Sequence, residues 1–276
     1  MVDVLSLVER HERWRADSCI NLQPSENVSS PQVRRALASD LAGRYTLPWS
    51  GEIHGSKVVN AYGGAKYLDE IEAMGEALAR SVFEARHASL KPLSGHLAGM
   101  LMLLTAAKPK ARVLTVDAAH GGYDGYMPPY IPDALGLNLK VDFLPFREDA
   151  WRVDTAKAAK KIRSWKPDLV ILGASFLLFP YEMAPLREAA DAVGARIGYD
   201  GSHVLGLIAG GVFQHALPEG ADILVGSTHK SFFGPQGGLF LCNDNDLWER
   251  AQKNTVWRLF DNVHWNRLAG VAQALE

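Results

Sequence analysis

The sequence predicts an α/β fold, a three-layer α/β/α arrangement with a mainly parallel sheet between helices. From residue 67 onward, short β-branched runs alternate with segments of helical periodicity, which is the pattern of strand–helix–strand units. One such run, 223–226, carries no polar side chain, as expected of a strand covered on both faces. The chain has 276 residues, 47% of them hydrophobic and 22% charged, which suffices for one large core.

Each element follows from a local pattern. An amphipathic pattern predicts a helix over 4–14, and Pro31, which lacks an N–H donor, fits the first turn of a second helix. The segment 43–64, rich in Gly, Pro, Ser and aromatic residues, predicts a long functional loop near the boundary between parts 1–66 and 67–276. Apolar periodicity then predicts helices over 68–83, 95–107, 155–164, 185–193 and 268–276, and strands over 112–116, 141–145, 169–173, 196–199, 223–226 and 238–242.

Composition excludes several classes of partner. The formal net charge of -2 is spread without a basic run, which argues against nucleic acid and anionic membranes and favours a small-molecule partner. Cys19 and Cys242 lie far apart, and residues 1–15 lack the apolar core of a signal peptide, so we expect a reducing, cytoplasmic location. No spacing typical of metal ligands occurs in the sequence, so no metal site is predicted.

Lys230 is the strongest candidate for a reactive residue. It follows an apolar strand and lies between the sequence Ser-Thr-His and a glycine-rich turn, 234–238. A lysine at the end of a buried strand is costly unless its amine is used, because burial favours the neutral, nucleophilic form. The chemistry that needs such an amine is imine formation with a carbonyl. An ordinary surface lysine in a glycine turn is the alternative interpretation.

Asp200 ends another predicted strand, thirty positions before Lys230. Because ligands of parallel sheets bind at the carboxyl ends of the strands, both side chains are expected in one crevice. A carboxylate there can keep a ring nitrogen protonated, which suits pyridoxal phosphate. Local pattern alone also allows a capping aspartate at a strand-to-helix turn.

Two further motifs fit that cofactor. His120 follows the strand 112–116 and precedes two glycines, so its imidazole is placed to stack on a flat ring. Ser94 and Gly95 begin the helix 95–107, whose exposed N–H groups favour a phosphate. A loop histidine and a simple N-cap are the alternatives. The glycine patterns of ATP and dinucleotide sites do not occur.

Taken together and in order, these residues resemble the serine hydroxymethyltransferases, pyridoxal-phosphate enzymes of the aspartate-aminotransferase-like fold (fold type I). The resemblance covers most of the chain. It rests on Ser25-Glu26-Asn27, Tyr62-Gly63-Gly64 with Tyr67 and Asp69, Pro92-Leu93-Ser94-Gly95, His120-Gly121-Gly122, Asp200 with His203, and Thr228-His229-Lys230 followed by Gly234-Pro235.

The resemblance implies a role for each matching residue. Lys230 would form the internal aldimine, Asp200 would pair with the pyridine nitrogen, and His120 would stack on the ring. The remaining expected contacts are His203 and Ser175 near the phenolic oxygen and substrate, Ser94, Gly95 and His96 at the phosphate, Ser227 and His229 at the cofactor, and Ser25, Glu26, Tyr45 and Tyr62 at the substrate or phosphate, some across a homodimer interface. We expect His120, His203, Glu26 and Tyr45 to be catalytic, together with Lys230 and Asp200.

The implied reaction cleaves or forms the Cα–Cβ bond of a small β-hydroxy amino acid through an external aldimine and a quinonoid. In the family, the one-carbon unit passes to tetrahydrofolate. Here Leu47 stands at the position of a family glutamate that serves folate chemistry, and leucine cannot transfer a proton. The loop 48–61 is longer than its family counterpart, and His96 replaces a serine.

Three hypotheses therefore stay open. The first is a hydroxymethyltransferase-type enzyme, and the second is a folate-independent threonine aldolase or transaldolase. The third is a truncated, non-catalytic relative that binds the cofactor, because the family's C-terminal domain is expected to be absent. A homodimer is expected by analogy, with exposed apolar residues near Trp257 and Trp265.

Overall fold

A seven-stranded sheet forms the centre of the protein. The computed structural model describes residues 3–46, 51–53, 56–58, 62 and 64–276. The strand order is β3-β11-β10-β9-β8-β4-β5, and the run from β10 to β5 is parallel, whereas β11 is antiparallel to both of its neighbours. The central strands are β3 (His87–Ser89), β4 (Arg112–Thr115), β5 (Lys140–Phe143), β8 (Leu169–Leu172), β9 (Arg196–Asp200), β10 (Ile223–Ser227) and β11 (Gly238–Cys242).

Two small hairpins and ten α-helices complete the described part of the chain. The hairpins pair β1 (Gly51–Ile53) with β2 (Ser56–Val58) and β6 (Phe146–Arg147) with β7 (Arg152–Val153). The helices are α1 (Val4–Ser18), α2 (Pro31–Leu37), α3 (Leu68–Val82), α4 (Gly95–Ala106), α5 (Ile131–Ala134), α6 (Thr155–Trp165), α7 (Met183–Asp191), α8 (Leu205–Ala209), α9 (Asn245–Thr255) and α10 (Trp265–Leu275).

Alternating strand residues divide the core into two halves, one on each face of the sheet. Val113 and Ile171 pack with α4 and α9 on one face. Leu114 and Leu172 point to the other face, where α3, α6, α7 and α10 cover the sheet. The period of two along each strand thus produces the predicted three-layer α/β/α fold.

The predicted helices and strands of the sheet domain are confirmed, with ends that differ by up to two residues apart from α10, which begins three residues earlier than predicted. The sequence analysis missed β3, whose three residues are too few to show a period. It also missed α9, although Asp244 caps its start by accepting hydrogen bonds from the N–H groups of Asp246 and Leu247. One exposure prediction is wrong: Trp257 is 67% exposed, but Trp265 is 3% exposed because α10 packs against α2 and α3.

The N-terminal part is joined to the sheet domain at a few points. Helix α1 extends four residues past its predicted end and buries no residue. Helix α2 packs against α10, and the Asn27 side-chain amide donates to the carbonyl of Gly234 at 3.0 Å. The boundary between 1–66 and 67–276 stays a prediction, and Leu47 lies outside the described residues, as does most of the loop 48–61.

Neither Cys19 nor Cys242 forms a disulfide. Every helix in the described ranges is too short or too polar to cross a membrane.

Candidate active site

Lys230 lies in a cleft at the carboxyl ends of the parallel strands. The residue follows β10 by three positions, and the loop that carries it is closed by the Thr228 side chain, which donates to the carbonyl of Pro235 at 2.7 Å. The cleft is partly open to solvent. Its lining residues are Gly95, His96, Tyr123, Ala174, Ser175, Asp200, Ser202, His203, Ser227 and Lys230. The structure therefore brings together seven residues predicted for the cofactor.

The Lys230 amine faces a histidine. Lys230 Nζ lies 3.0 Å from His203 Nε2. Burial lowers the pKa of Lys230, against the opposing effect of Asp200. Burial, followed by the charge of Lys230, lowers the pKa of His203 to about 4. His203 is thus neutral at pH 7, and its Nε2 accepts a hydrogen bond from the amine when the ring proton is on Nδ1.

Asp200 is held by two donors. It ends β9 and is 8% exposed. The hydroxyl of Tyr126 donates to one carboxylate oxygen at 2.7 Å, and the backbone N–H of Ser202 donates to the other at 3.0 Å. Tyr126 is fully buried, and burial raises its pKa well above the usual value, so the hydroxyl keeps its proton. The sequence analysis missed Tyr126, which no motif marks.

The start of α4 forms the opposite wall of the cleft. Ser94 caps the helix by accepting from the N–H of Leu97 at 3.1 Å. A Cβ on Gly95 would lie 1.9 Å from Ser227 Oγ, so only glycine lets the helix approach β10 this closely. His96 Nδ1 lies 2.6 Å from the hydroxyl of Tyr123, another lining residue that the sequence analysis missed.

His120 lies beside the cleft and not in its lining. Its ring stacks on Phe146 with centroids 4.4 Å apart, and its Nε2 lies 3.3 Å from Glu148 Oε1. The backbone N–H of Ser175 donates to the carbonyl of Gly121, which joins the His120 turn to a segment that does line the cleft. Stacking of His120 on a cofactor stays a prediction.

The predicted substrate residues lie outside the cleft. Glu26 forms an ion pair of 2.8 Å with Arg15, and the Ser25 hydroxyl accepts from the side-chain amide of Gln23 at 2.7 Å. His229, predicted at the cofactor, lies with Ser25 and Glu26 along a second, open depression.

Tyr45 does not line the cleft that holds Lys230. Its hydroxyl is 3.3 Å from Asp261 Oδ2, and its ring contacts Tyr62 with centroids 5.3 Å apart. Neither Tyr45 nor Tyr62 is among the residues that line the cleft of Lys230 in the described part of the chain, and their predicted roles await a test.

The donor set of the cleft fits pyridoxal phosphate. It offers an amine for an aldehyde, a buried carboxylate for a ring nitrogen, and a helix start with free N–H groups for a phosphate. In the described ranges, no group of three His, Cys, Asp or Glu residues is arranged to hold a metal ion.

Comparison with known proteins gives one family. The model of the serine hydroxymethyltransferase family matches residues 2–267. A serine hydroxymethyltransferase of Methanopyrus kandleri is 39% identical over 272 residues, which are 99% of this chain and 61% of that protein. Proteins of the same name from Pyrococcus abyssi and Methanothermobacter thermautotrophicus are each 38% identical over 271 residues, covering 97% and 98% of this chain. The chain spans 61% of the length of the Pyrococcus abyssi protein and 62% of the length of the Methanothermobacter thermautotrophicus protein. This chain belongs to the serine hydroxymethyltransferase family.

Proposed function

We propose that the protein binds pyridoxal phosphate and cleaves or forms the Cα–Cβ bond of a small β-hydroxy amino acid, as in the conversion of serine to glycine. The observation that carries the proposal is the shared cleft of Lys230 and Asp200, each at the end of its strand. The family and its relatives' names support it. When bound, pyridoxal phosphate would supply an electron sink for the carbon whose bond is broken.

The chain's own residues would bind the cofactor and orient the groups around it. Lys230 would hold the cofactor aldehyde, because its lowered pKa favours the neutral amine. His203 would orient the Lys230 amine by accepting a hydrogen bond at Nε2, which is 3.0 Å away, since its ring is neutral at pH 7. Asp200, oriented by Tyr126 and Ser202, would hold the ring nitrogen.

Ser94, Gly95 and His96 would bind the phosphate at the start of α4, with Ser227 against Gly95. His120 and His229 would contact the cofactor from outside the present lining, and Ser175 would lie near its phenolic oxygen. The substrate or the phosphate would meet Ser25, Glu26, Tyr45 and Tyr62, some of them from a second subunit.

Covalent attachment of the cofactor at Lys230 is the direct test. The purified chain is mixed with pyridoxal phosphate, treated with borohydride and digested for mass spectrometry. A pyridoxyl mass on Lys230 is expected in the wild type, together with an absorbance band that Lys230→Ala lacks. Lys161→Ala is the matched control, because Lys161 pairs with Asp142 outside the cleft. A wild-type chain that carries no label at Lys230 contradicts the proposal.

Two forms of the reaction are separated by tetrahydrofolate. Serine cleavage that requires tetrahydrofolate supports the hydroxymethyltransferase form, whereas equal turnover of threonine without it supports the folate-independent aldolase form. The second form is favoured by Leu47 at the position of the family glutamate. A chain that is labelled at Lys230 but turns over neither amino acid is a non-catalytic relative.

We also propose a homodimer with shared sites. Helix α1 buries no residue, and its apolar side chains are open: Val4 is 75% exposed, Leu5 73% and Trp14 54%. A second copy that covers them would offset this exposure.

Mixing two inactive variants tests the dimer. Lys230→Ala and Tyr45→Phe chains are refolded together, and activity is measured against each variant alone. Shared sites predict recovery of up to about a quarter of the wild-type activity, because random pairing gives half mixed dimers with one intact site each. A monomer by light scattering would contradict this proposal without touching the cofactor assignment.

A further inference from the structure

Arg267 is a buried arginine that no carboxylate neutralises in the part of the chain that the structure describes. It lies on α10 and is 5% exposed. Burial lowers the pKa of its guanidinium to about 10, and no neighbouring charge contributes to that shift. The group is still charged at pH 7. Because burial of an unpaired charge is unfavourable, we expect this charge to have a functional role.

The guanidinium donates hydrogen bonds to the backbone just before Ser94 and Gly95, which form the proposed phosphate-binding turn. Its Nη2 donates to the carbonyl of Leu90 at 2.8 Å and to that of Lys91 at 3.2 Å. The same nitrogen and Nε donate to the carbonyl of Val263, within the turn before α10. Arg267 therefore ties α10 to the segment that follows β3.

That segment runs directly into Ser94 and Gly95. The carbonyl of Pro92 accepts a hydrogen bond from the N–H of Gly238 at 2.9 Å. Each of the three successive carbonyls 90–92 therefore accepts a hydrogen bond from a distant segment. Two of the three depend on Arg267. The remaining nitrogen, Nη1, is buried without a hydrogen-bond partner among the described residues, and a Cβ on Gly237 would lie 2.8 Å from it. The guanidinium thus lies next to both the segment before the phosphate-binding turn and the glycine-rich turn that follows Lys230.

We propose that Arg267 is a positioning residue for the phosphate-binding turn, and that its unpaired charge is balanced when a phosphate group occupies that turn. The inference rests on the proposed function, because it takes the start of α4 as the phosphate site. The role is specific to the phosphate: a cofactor form without that group gains nothing from the charge.

Linkage between charge and ligand gives the expected effect. If the buried cation is stabilised by a bound anion, removing the cation must weaken binding of the anion by the same factor. The ring nitrogen and the aldehyde of pyridoxal would meet Asp200 and Lys230, and neither contact needs Arg267. The quantity that reports the role is therefore the ratio of the two dissociation constants, for pyridoxal and for pyridoxal phosphate.

The test compares wild type, Arg267→Met and Arg267→Lys, with both ligands titrated by absorbance. Methionine keeps the apolar stem but loses the charge and the donors. We expect Arg267→Met to weaken pyridoxal phosphate binding at least about tenfold, or about 1.4 kcal/mol, and pyridoxal binding less than about twofold. Arg267→Lys keeps the charge but loses the planar fork, so an intermediate loss of about threefold is expected.

Arg187→Met is the matched control. Arg187 also donates to two backbone carbonyls, those of Gly220 and Ala195, but at the opposite end of the strands. It is expected to lower stability and leave the ratio unchanged. An unchanged ratio in folded Arg267→Met, or in Arg267→Lys where the methionine variant does not fold, overturns the role of Arg267 alone. A wild-type chain that does not bind pyridoxal phosphate overturns the proposed function and this inference with it.

Discussion

Tyr126 donates a hydrogen bond to Asp200 from a position that is 1% exposed, at 2.7 Å between the two oxygens. Room for the phenol comes from Gly99 on α4, where a Cβ would lie 2.7 Å from the hydroxyl oxygen. One of the two donors that orient the Asp200 carboxylate therefore comes from a distant segment, and it depends on the absence of a side chain at Gly99.

Tyr126→Phe is expected to weaken pyridoxal phosphate binding roughly tenfold. The change leaves one oxygen of a buried carboxylate without its donor, and such a loss costs about 1–3 kcal/mol. Tyr199→Phe is the control, because Tyr199 precedes Asp200 on β9 and its buried hydroxyl has no partner among the described residues. Equal affinities of the two variants, by absorbance titration, would contradict a positioning role for Tyr126.

Gly95→Ala is expected to destabilise the fold by about 2 kcal/mol and to weaken cofactor binding, because the new methyl group overlaps Ser227. The double variant Gly95→Ala with Ser227→Gly removes the overlapping side chain and should recover most of the stability. Gly43→Ala is the control, since a Cβ there meets nothing within 4 Å. Urea unfolding measures all three, and a Gly95→Ala variant as stable as the wild type would show that the contact is not tight.

The lowered pKa of His203 gives a pH dependence with a definite sign. Burial and Lys230 hold this pKa at about 4, below the ordinary 6.5, so the folded state binds fewer protons between these values. The stabilising contribution is complete above 6.5 and is lost as the pH falls towards 4. His203→Gln should flatten the pH dependence of the unfolding free energy in this window. His11→Gln, on exposed α1, should leave it unchanged, and equal slopes for wild type and His203→Gln would refute the shift.

The pKa of Glu76 on α3 is raised, so its effect on the pH dependence of stability has the opposite sign. Burial, and then the charge of Glu72, raise the pKa of its carboxyl from 4.5 to about 7. The folded state therefore binds more protons than the unfolded chain between these values, and stability falls as the pH rises through them. Glu76→Gln removes this penalty and should stabilise the protein by about 2 kcal/mol at a pH near 8. Glu70→Gln, at an exposed position of the same helix, should change little. A Glu76→Gln variant that is less stable than the wild type at this pH would contradict the prediction, because it would show that the carboxylate stabilises the fold.

The sequence was sufficient to predict the layers of the fold because strands and helices of the sheet domain carry clear periods. It also placed Lys230 and Asp200 in one cleft, since each follows a buried strand of a parallel sheet. The exact order of strands was not predictable, because β3 is three residues long and joins the sheet only through β11.

Tyr123, Tyr126 and Arg267 could not be found from the sequence for a related reason. Each of these residues contacts a segment that lies far away along the chain, and none belongs to a short motif. Trp265 shows the same limit: the helix on which it lies was predicted, but its burial depends on α2 and α3, which pack against α10.

The place of β11 between β3 and β10 fixes when the site can assemble during synthesis. The backbone N–H of Gly238, the first residue of β11, donates to the carbonyl of Pro92, two residues before Ser94. On the ribosome, the turn at Ser94 is thus made long before β11, whereas β10, the strand before Lys230, is made only shortly before it. The contact between Pro92 and Gly238 that supports this turn therefore forms only after β11 has emerged.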